Sequence, residues 1–148
     1  MVPRSVDAFL EVVRGDGIAA ALAWLNAGVP HRFSAIYRFE GALLRNEFFC
    51  DKKGAARPAF LLAVPFEVSF CQFALRDGAF RTDDSGTDDR LLGHPYRGVV
   101  VSYHSVPLTT LEGEIWGTLS HFDTEALHLD DEEFALLQAV ARELPAFL

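Results

Sequence analysis

Two late segments, residues 99–108 (VVVSYHSVPL) and 114–122 (EIWGTLSHF), constrain this chain more than any other feature. Together they carry one charge, Glu114, and they are rich in β-branched and aromatic side chains, the composition of strands. Leu111-Glu112-Gly113 supplies a turn between them. A half-exposed strand alternates apolar and polar residues; two neighbours with almost no charge predict a sheet covered on both faces. Such a sheet needs a layer on each side.

The rest of the chain offers those layers. Ser5 predicts the cap of a helix running through Arg14, with Val6, Phe9, Leu10 and Val13 on one stripe. After Gly15-Asp16-Gly17 a second helix is expected over Ile18–Ala27, its alanine-rich surface suited to close packing. Residues 33–40 and 42–50 read as a hairpin about Gly41, with Phe33, Ala35, Tyr37 and Phe39 on one face. Residues 51–58 form a charged loop, 60–65 a short strand, and 66–75 a helix closed by Asp77-Gly78. A short strand over 79–82 precedes a polar excursion, 83–98, with a helical turn near 88–92. Asp130-Asp131 starts a last helix to about Leu144, its acidic first turn matching the helix dipole. The predicted class is α+β: an antiparallel sheet sandwiched between the terminal helices and the mid-chain helix.

Residues 1–80 hold nine basic and eight acidic side chains; 81–148 hold four and thirteen, giving −8 in all. No basic cluster suited to phosphates is present, so neither nucleic acid nor an anionic membrane surface is an expected partner. No stretch reaches the ~20 apolar residues of a membrane span, and no secretory signal opens the chain. A cytoplasmic location follows as the expectation. Cys50 and Cys71 form neither a CxxC pair nor a disulfide framework. His94, His104 and His121 are the candidates for a metal, with His104 and His121 on paired strands. Their spacing lacks the usual ligand signatures; partly buried, hydrogen-bonded imidazoles are expected at His104 and His121 instead, one of them facing the pocket. Asp83 to Asp89 lacks the glutamate that ends a calcium loop, and no P-loop, GxGxxG or GxSxG motif is present.

Several pieces in order resemble the GAF domain family: Val64-Pro65-Phe66-Glu67-Val68-Ser69-Phe70-Cys71 leading into the mid-chain helix, then Asp88-Asp89-Arg90-Leu91 to His94-Pro95. Ser102 to Leu108, Gly117 to Asp123 and the acidic-capped closing helix complete the series. It covers about residues 15–148, and the whole chain 1–148 is expected to be one such domain. The resemblance implies a central antiparallel sheet of five to six strands, with terminal helices on one face and the mid-chain helix and loop on the other. It implies a small-molecule-binding sensory or regulatory domain without catalysis, its ligand held between the sheet and the 66–98 segment. It further implies a homodimer through the terminal helices. The ligand, and with it any cofactor, is unspecified.

On that reading Tyr37, Phe70, Cys71, Arg90, Tyr103, Trp116, Thr118 and His121 are the candidate ligand-binding residues. Phe66, Phe73, Phe122 and Ser102 lie on or near the same elements. Most of these aromatics equally suit a filled core. Tyr103 and Trp116 carry polar atoms that need partners, and a buried indole predicts a loss of ~3–5 kcal/mol for Trp116→Ala. Arg90 reads either as countercharge to an anionic ligand or as a salt bridge to neighbouring aspartates. Cys71 reads as a small buried hydrophobe or as a reactive thiol. Two alternatives stand beside the sensor: a thiol redox enzyme of the free methionine sulfoxide reductase type, and a ligand-free protein–protein scaffold.

Overall fold

The computed structural model describes residues 4–55, 63–65 and 69–148. Ser5 is extended, and its hydroxyl accepts from the Ala8 amide at 3.1 Å, opening α1 (Val6–Asp16). Gly17, at φ 94°, breaks the helix, a conformation open to glycine at no steric cost. Helix α2 (Ile18–Ala27) follows, then the hairpin β1 (Phe33–Glu40) and β2 (Leu43–Asp51). Strand β3 (Ala63–Pro65), α3 (Cys71–Asp77) and β4 (Phe80–Thr82) form the middle. After a 3-10 turn at Asp89–Leu91 come β5 (Ser102–Thr109), β6 (Ile115–Asp123) and α4 (Asp131–Glu143), which runs into a 3-10 turn at Leu144–Phe147.

Among the described residues the strands form one antiparallel sheet in the order β3-β2-β1-β6-β5-β4. The first and last strands, β1 and β6, pair at its centre and join the two halves of the chain. Helices α1, α2 and α4 cover one face, where Phe9, Leu22, Leu25, Leu137 and Val140 pack on Ile36, Val106, Leu108 and Leu119. The apolar stripes of α1 and α4 are thereby buried within the chain. On the other face Phe70, Cys71 and Ala74, with Leu91 and Val100, pack on Ala35, Tyr37, Leu44, Tyr103 and Phe122. Every residue from Gly117 to Asp123 is buried, as a sheet covered on both faces requires. Each fully buried Leu or Phe contributes roughly 1.5–3 kcal/mol, so the two layers together hold the sheet in place.

The structure shifts several expected boundaries. Helix α3 begins at Cys71, with Phe70 as its N-cap; the expected positions 66–68, Phe66 among them, lie outside the described residues, as do 60–62 of the expected strand and 56–58 of the expected loop. Residues 99–101 are not strand: the Val99 and Val100 amides both donate to the Tyr96 carbonyl (2.9 and 3.0 Å), and this turn takes the donors a ladder would need. Phe39, next to last in β1, is 37% exposed, so the apolar face of that strand stops at Tyr37.

Candidate functional site

Between the sheet and α3 lies a cavity of about 40 Å³. Tyr37 of β1, Val64 of β3, Tyr103 of β5 and Phe122 of β6 form its sheet wall. Ser69, Phe70 and Cys71 at the start of α3, with Tyr96 and Val100 from the excursion, close it. The aromatic rings brace one another: Phe70 meets Tyr103 edge-on at 5.4 Å and Tyr96 at 6.4 Å, and Phe122 lies 6.2 Å from Tyr103. The His94 ring meets Phe70 tilted at 50°, with 4.4 Å between centroids. On the same measure one water needs ~10–15 Å³, so the space holds two or three. A ligand of more than a few heavy atoms has to displace Phe70, Tyr96 or Val100.

The inner wall is polar without being charged. Cys71 Sγ and Tyr103 Oη stand 2.8 Å apart, and Thr118 Oγ1 donates to the same sulfur at 3.3 Å. Ser120 Oγ reaches Tyr103 Oη at 3.2 Å and Ser105 Oγ at 3.0 Å. Period-two alternation sets the row: Thr118 and Ser120 on β6, with Tyr103 and Ser105 on β5, all face α3. Burial pushes the Cys71 thiol up, against the opposing hydrogen bonds from Thr118 and Tyr103. Burial raises the Tyr103 phenol well above its ordinary value, the neighbouring Cys71 adding to it. Both groups are therefore neutral at pH 7, and among the described residues no charged side chain lines the cavity.

Of the residues the sequence singled out, Tyr37, Phe70, Cys71 and Tyr103 line the cavity and Thr118 touches it through the Cys71 sulfur. Three do not belong to it. Trp116 falls on the helix-side face, half-buried against that core: Leu108 pairs with Gly117 but Thr109 pairs with Ile115, so Trp116 is the extra residue of a β-bulge and loses the facing that alternation predicts. His121 also points to the helix side, because it is one residue out of phase with Ser120 and Phe122. Arg90 is turned outward. Its Nε and Nη2 grip the Asp88 carboxylate (2.9 and 2.5 Å), Nη2 donates to the Arg81 carbonyl at 2.7 Å, and the guanidinium covers Phe80. That grip holds the Asp88 carboxyl down to about 2.

Sequence reasoning missed Val64, Ser69, Tyr96 and Val100. Tyr96 was the most readable of them, an aromatic directly after His94-Pro95 in an otherwise polar stretch. The two sulfurs lie on opposite sides of the sheet, Cys71 against the cavity core and Cys50 against the helical layer. Burial raises the Cys50 thiol as well.

Among the described residues, a six-stranded antiparallel sheet with helices on one face and an aromatic-lined hollow on the other defines a class of small α+β modules. The model of the GAF domain family matches residues 20–144, and the chain belongs to that family. A search of curated proteins finds no match. Among solved structures, the GAF domain of an Acinetobacter phosphoenolpyruvate-protein phosphotransferase is similar, at TM-score 0.75 and 8% identity over 96% of this chain and 89% of that one. The phycocyanobilin-bound GAF domain of a cyanobacterial phytochrome gives 0.72 and 16% identity over 99% and 93%. The type II free methionine-R-sulfoxide reductase of Thermoplasma acidophilum gives 0.69 and 18% identity over 94% of each chain. Identities this low establish a shared fold and leave function to the site.

Proposed function

We propose that this chain is a non-catalytic sensory or regulatory domain that binds a small, uncharged molecule in the cavity under α3. The observation that carries the reading is the row Cys71–Tyr103–Ser120–Ser105: neutral hydrogen-bonding groups at the back of an aromatic enclosure, with no charged partner among the described residues. Such a wall orients a neutral polar group and leaves an anion without a countercharge. Binding would displace Phe70, Tyr96 or Val100, and the sheet would carry that bias to the helical layer as a population shift. That a GAF domain of similar fold is phycocyanobilin-bound supports a ligand-binding role for this chain. Homodimerisation through the outer surfaces of α1, α2 and α4, and a cytoplasmic location, are part of the same proposal; light scattering that finds only a 16.4 kDa species at micromolar concentration removes the dimer.

The test is to purify the protein from its host and take absorbance and mass spectra of whatever co-purifies, then repeat the melt with that compound added. A ligand at 100 times its Kd stabilises by about 2.7 kcal/mol, and Cys71→Leu should abolish the shift. An unchanged shift in that variant places binding elsewhere; no ligand at all favours the scaffold. The redox reading is separated by thiol reactivity against pH. A thiolate titrating well below ~8.5 at Cys71 would favour the sulfoxide reductase chemistry, against which stand the raised thiols and the placement of the two sulfurs on opposite faces.

A further inference from the structure

The helix-side face of the sheet carries a second polar assembly that the cavity does not use. His31, His104 and His121 are each 0% exposed. His104 and His121 oppose each other on β5 and β6, and His31 enters from the loop between α2 and β1. The His31 ring meets His104 edge-on at 5.1 Å between centroids and stacks on His121 at 6.4 Å. The rings thus form a row with His31 in the middle. Among the described residues no three His, Cys, Asp or Glu side chains are placed to hold a metal ion. Among the described residues, both nitrogens of His31, both of His104 and Nε2 of His121 lack a hydrogen bond of good geometry, the Leu127 backbone giving His31 and His104 only a weak one. Asp83 Oδ1 stands 3.4 Å from His104 Nε2, an ion pair only when that ring is charged.

Hydrogen-bond accounting narrows the state of His121. Lys52 has only donors, so the Asn26 atom it meets at 2.8 Å is Oδ1, and Asn26 Nδ2 is left to donate to Ser34 Oγ at 2.7 Å. Ser34 Oγ also stands 2.5 Å from His121 Nδ1, either donating its own hydrogen there or accepting a second N–H. With the hydroxyl as donor, His121 carries its hydrogen on Nε2, which lacks a partner among the described residues. A second proton on this ring then requires the Ser34 hydroxyl to turn from donor to acceptor. The charged groups around the row are mixed: Lys52, Arg81 and Arg4 oppose a positive charge, while Asp83 and Asp123 favour one, Asp83 being shared with His128 at 2.9 Å. Burial outweighs them all and keeps the rings neutral, with His31 and His104 lowered to about 4 and His121 well below its ordinary value.

We infer that this row is a proton-binding site that couples pH to the seating of segments 28–32 and 124–130 on the sheet. The Leu127 backbone lies over His31 and His104, and the Asp123 carboxylate clips both segments by accepting from the Arg32 and Glu125 amides at 2.8 and 3.0 Å. Closed, these segments keep the imidazoles dry and their nitrogens unmatched. Lifted, they let water in, and each ring takes one proton from solvent, His31 and His104 at a free nitrogen and His121 at Nδ1 as the Ser34 hydroxyl turns to accept. A hydrated imidazole titrates near 6.5, so below that pH the open form binds protons that the closed form refuses. Each ring then multiplies the open population by about tenfold per pH unit until its closed-state value is reached.

Amide hydrogen exchange on the full chain at pH 7.5, 6.5 and 5.5, corrected for intrinsic exchange, tests this. Amides in 28–32 and 124–130 should lose protection by tenfold or more per unit below 6.5, while central amides of β1 and β6 keep theirs. Imidazole nitrogen NMR on the unaltered protein gives a readout that needs no variant: all three rings stay neutral at pH 6.5 and gain protons together with the opening. His31→Leu, which removes the middle ring at similar volume, should flatten the pH dependence. Rings that titrate singly near 6.5, or segments that stay protected to pH 4.5, would overturn the inference.

Discussion

Gly117 has no room for a side chain: a Cβ built there would lie 1.8 Å from the Tyr37 carbonyl oxygen and 3.0 Å from the Arg38 Cα. Both neighbours are backbone of the central β1–β6 pair, so neither gives way cheaply. Gly117→Ala should cost about 3 kcal/mol or more in a denaturant melt, at the upper end of overpacking. Gly28→Ala is the contrast, since its Cβ would meet only the Arg4 guanidinium, the end of a flexible side chain, and its loss should be clearly smaller. Equal losses would mean that the central strands are further apart than described. At Tyr103 the hydroxyl sits between Cys71 and Ser120, and Tyr103→Phe leaves both to find other partners. The expected loss is about 1–2 kcal/mol with an unchanged denaturant slope; a neutral substitution would mean that water satisfies this row.

Among the elements, β6 shows where periodicity succeeds and where it stops. Alternation places Thr118, Ser120 and Phe122 against α3 and Leu119 and His121 against the helices, as period two demands. One extra residue at the Thr109–Ile115 pairing then carries Trp116 across to the helix side. With its indole half-buried and its face under the Arg38 guanidinium at 5.8 Å, Trp116→Ala should cost about 1–2 kcal/mol rather than the larger loss expected of a core indole. Urea midpoints decide: a loss above ~3 kcal/mol would put the ring in the core after all. Helix boundaries were more legible. Ser5 and Gly17 bracket α1 through chemistry confined to a few residues, the hydroxyl cap and the positive φ, and α2 runs over the residues its composition indicated. Helix α3 was less so, because its start depends on how Ser69 and Phe70 turn over the cavity.

For the molecule as a whole, three neutral imidazoles in the core make stability depend on pH. Their folded values lie below the unfolded 6.5, so the stability they leave intact is fully present above about 6.5. It is lost as pH falls toward 4, where the unfolded chain binds protons that the folded one does not. Each ring contributes a slope of about 1.4 kcal/mol per pH unit, and urea midpoints measured from pH 7 to 4.5 should fall with the slope of more than one proton. A flat profile across that range would show that the rings are hydrated.

By itself the sequence determined the class of fold, since this follows from composition and spacing along the chain: strands too apolar to face water, helices capped by their own neighbours, turns placed by glycine. The family and the sidedness of the sheet were legible only through the resemblance of its ordered motifs. It also indicated that His104 and His121 would lie side by side. Only the tertiary structure decided which aromatics enclose the hollow, that Arg90 is spent on Asp88, and that His31 rather than His94 completes the row of rings. The physical reason is that facing and partnership belong to pairs of segments far apart in the chain, and a single bulged residue or loop turn redirects a side chain without leaving a mark in local composition.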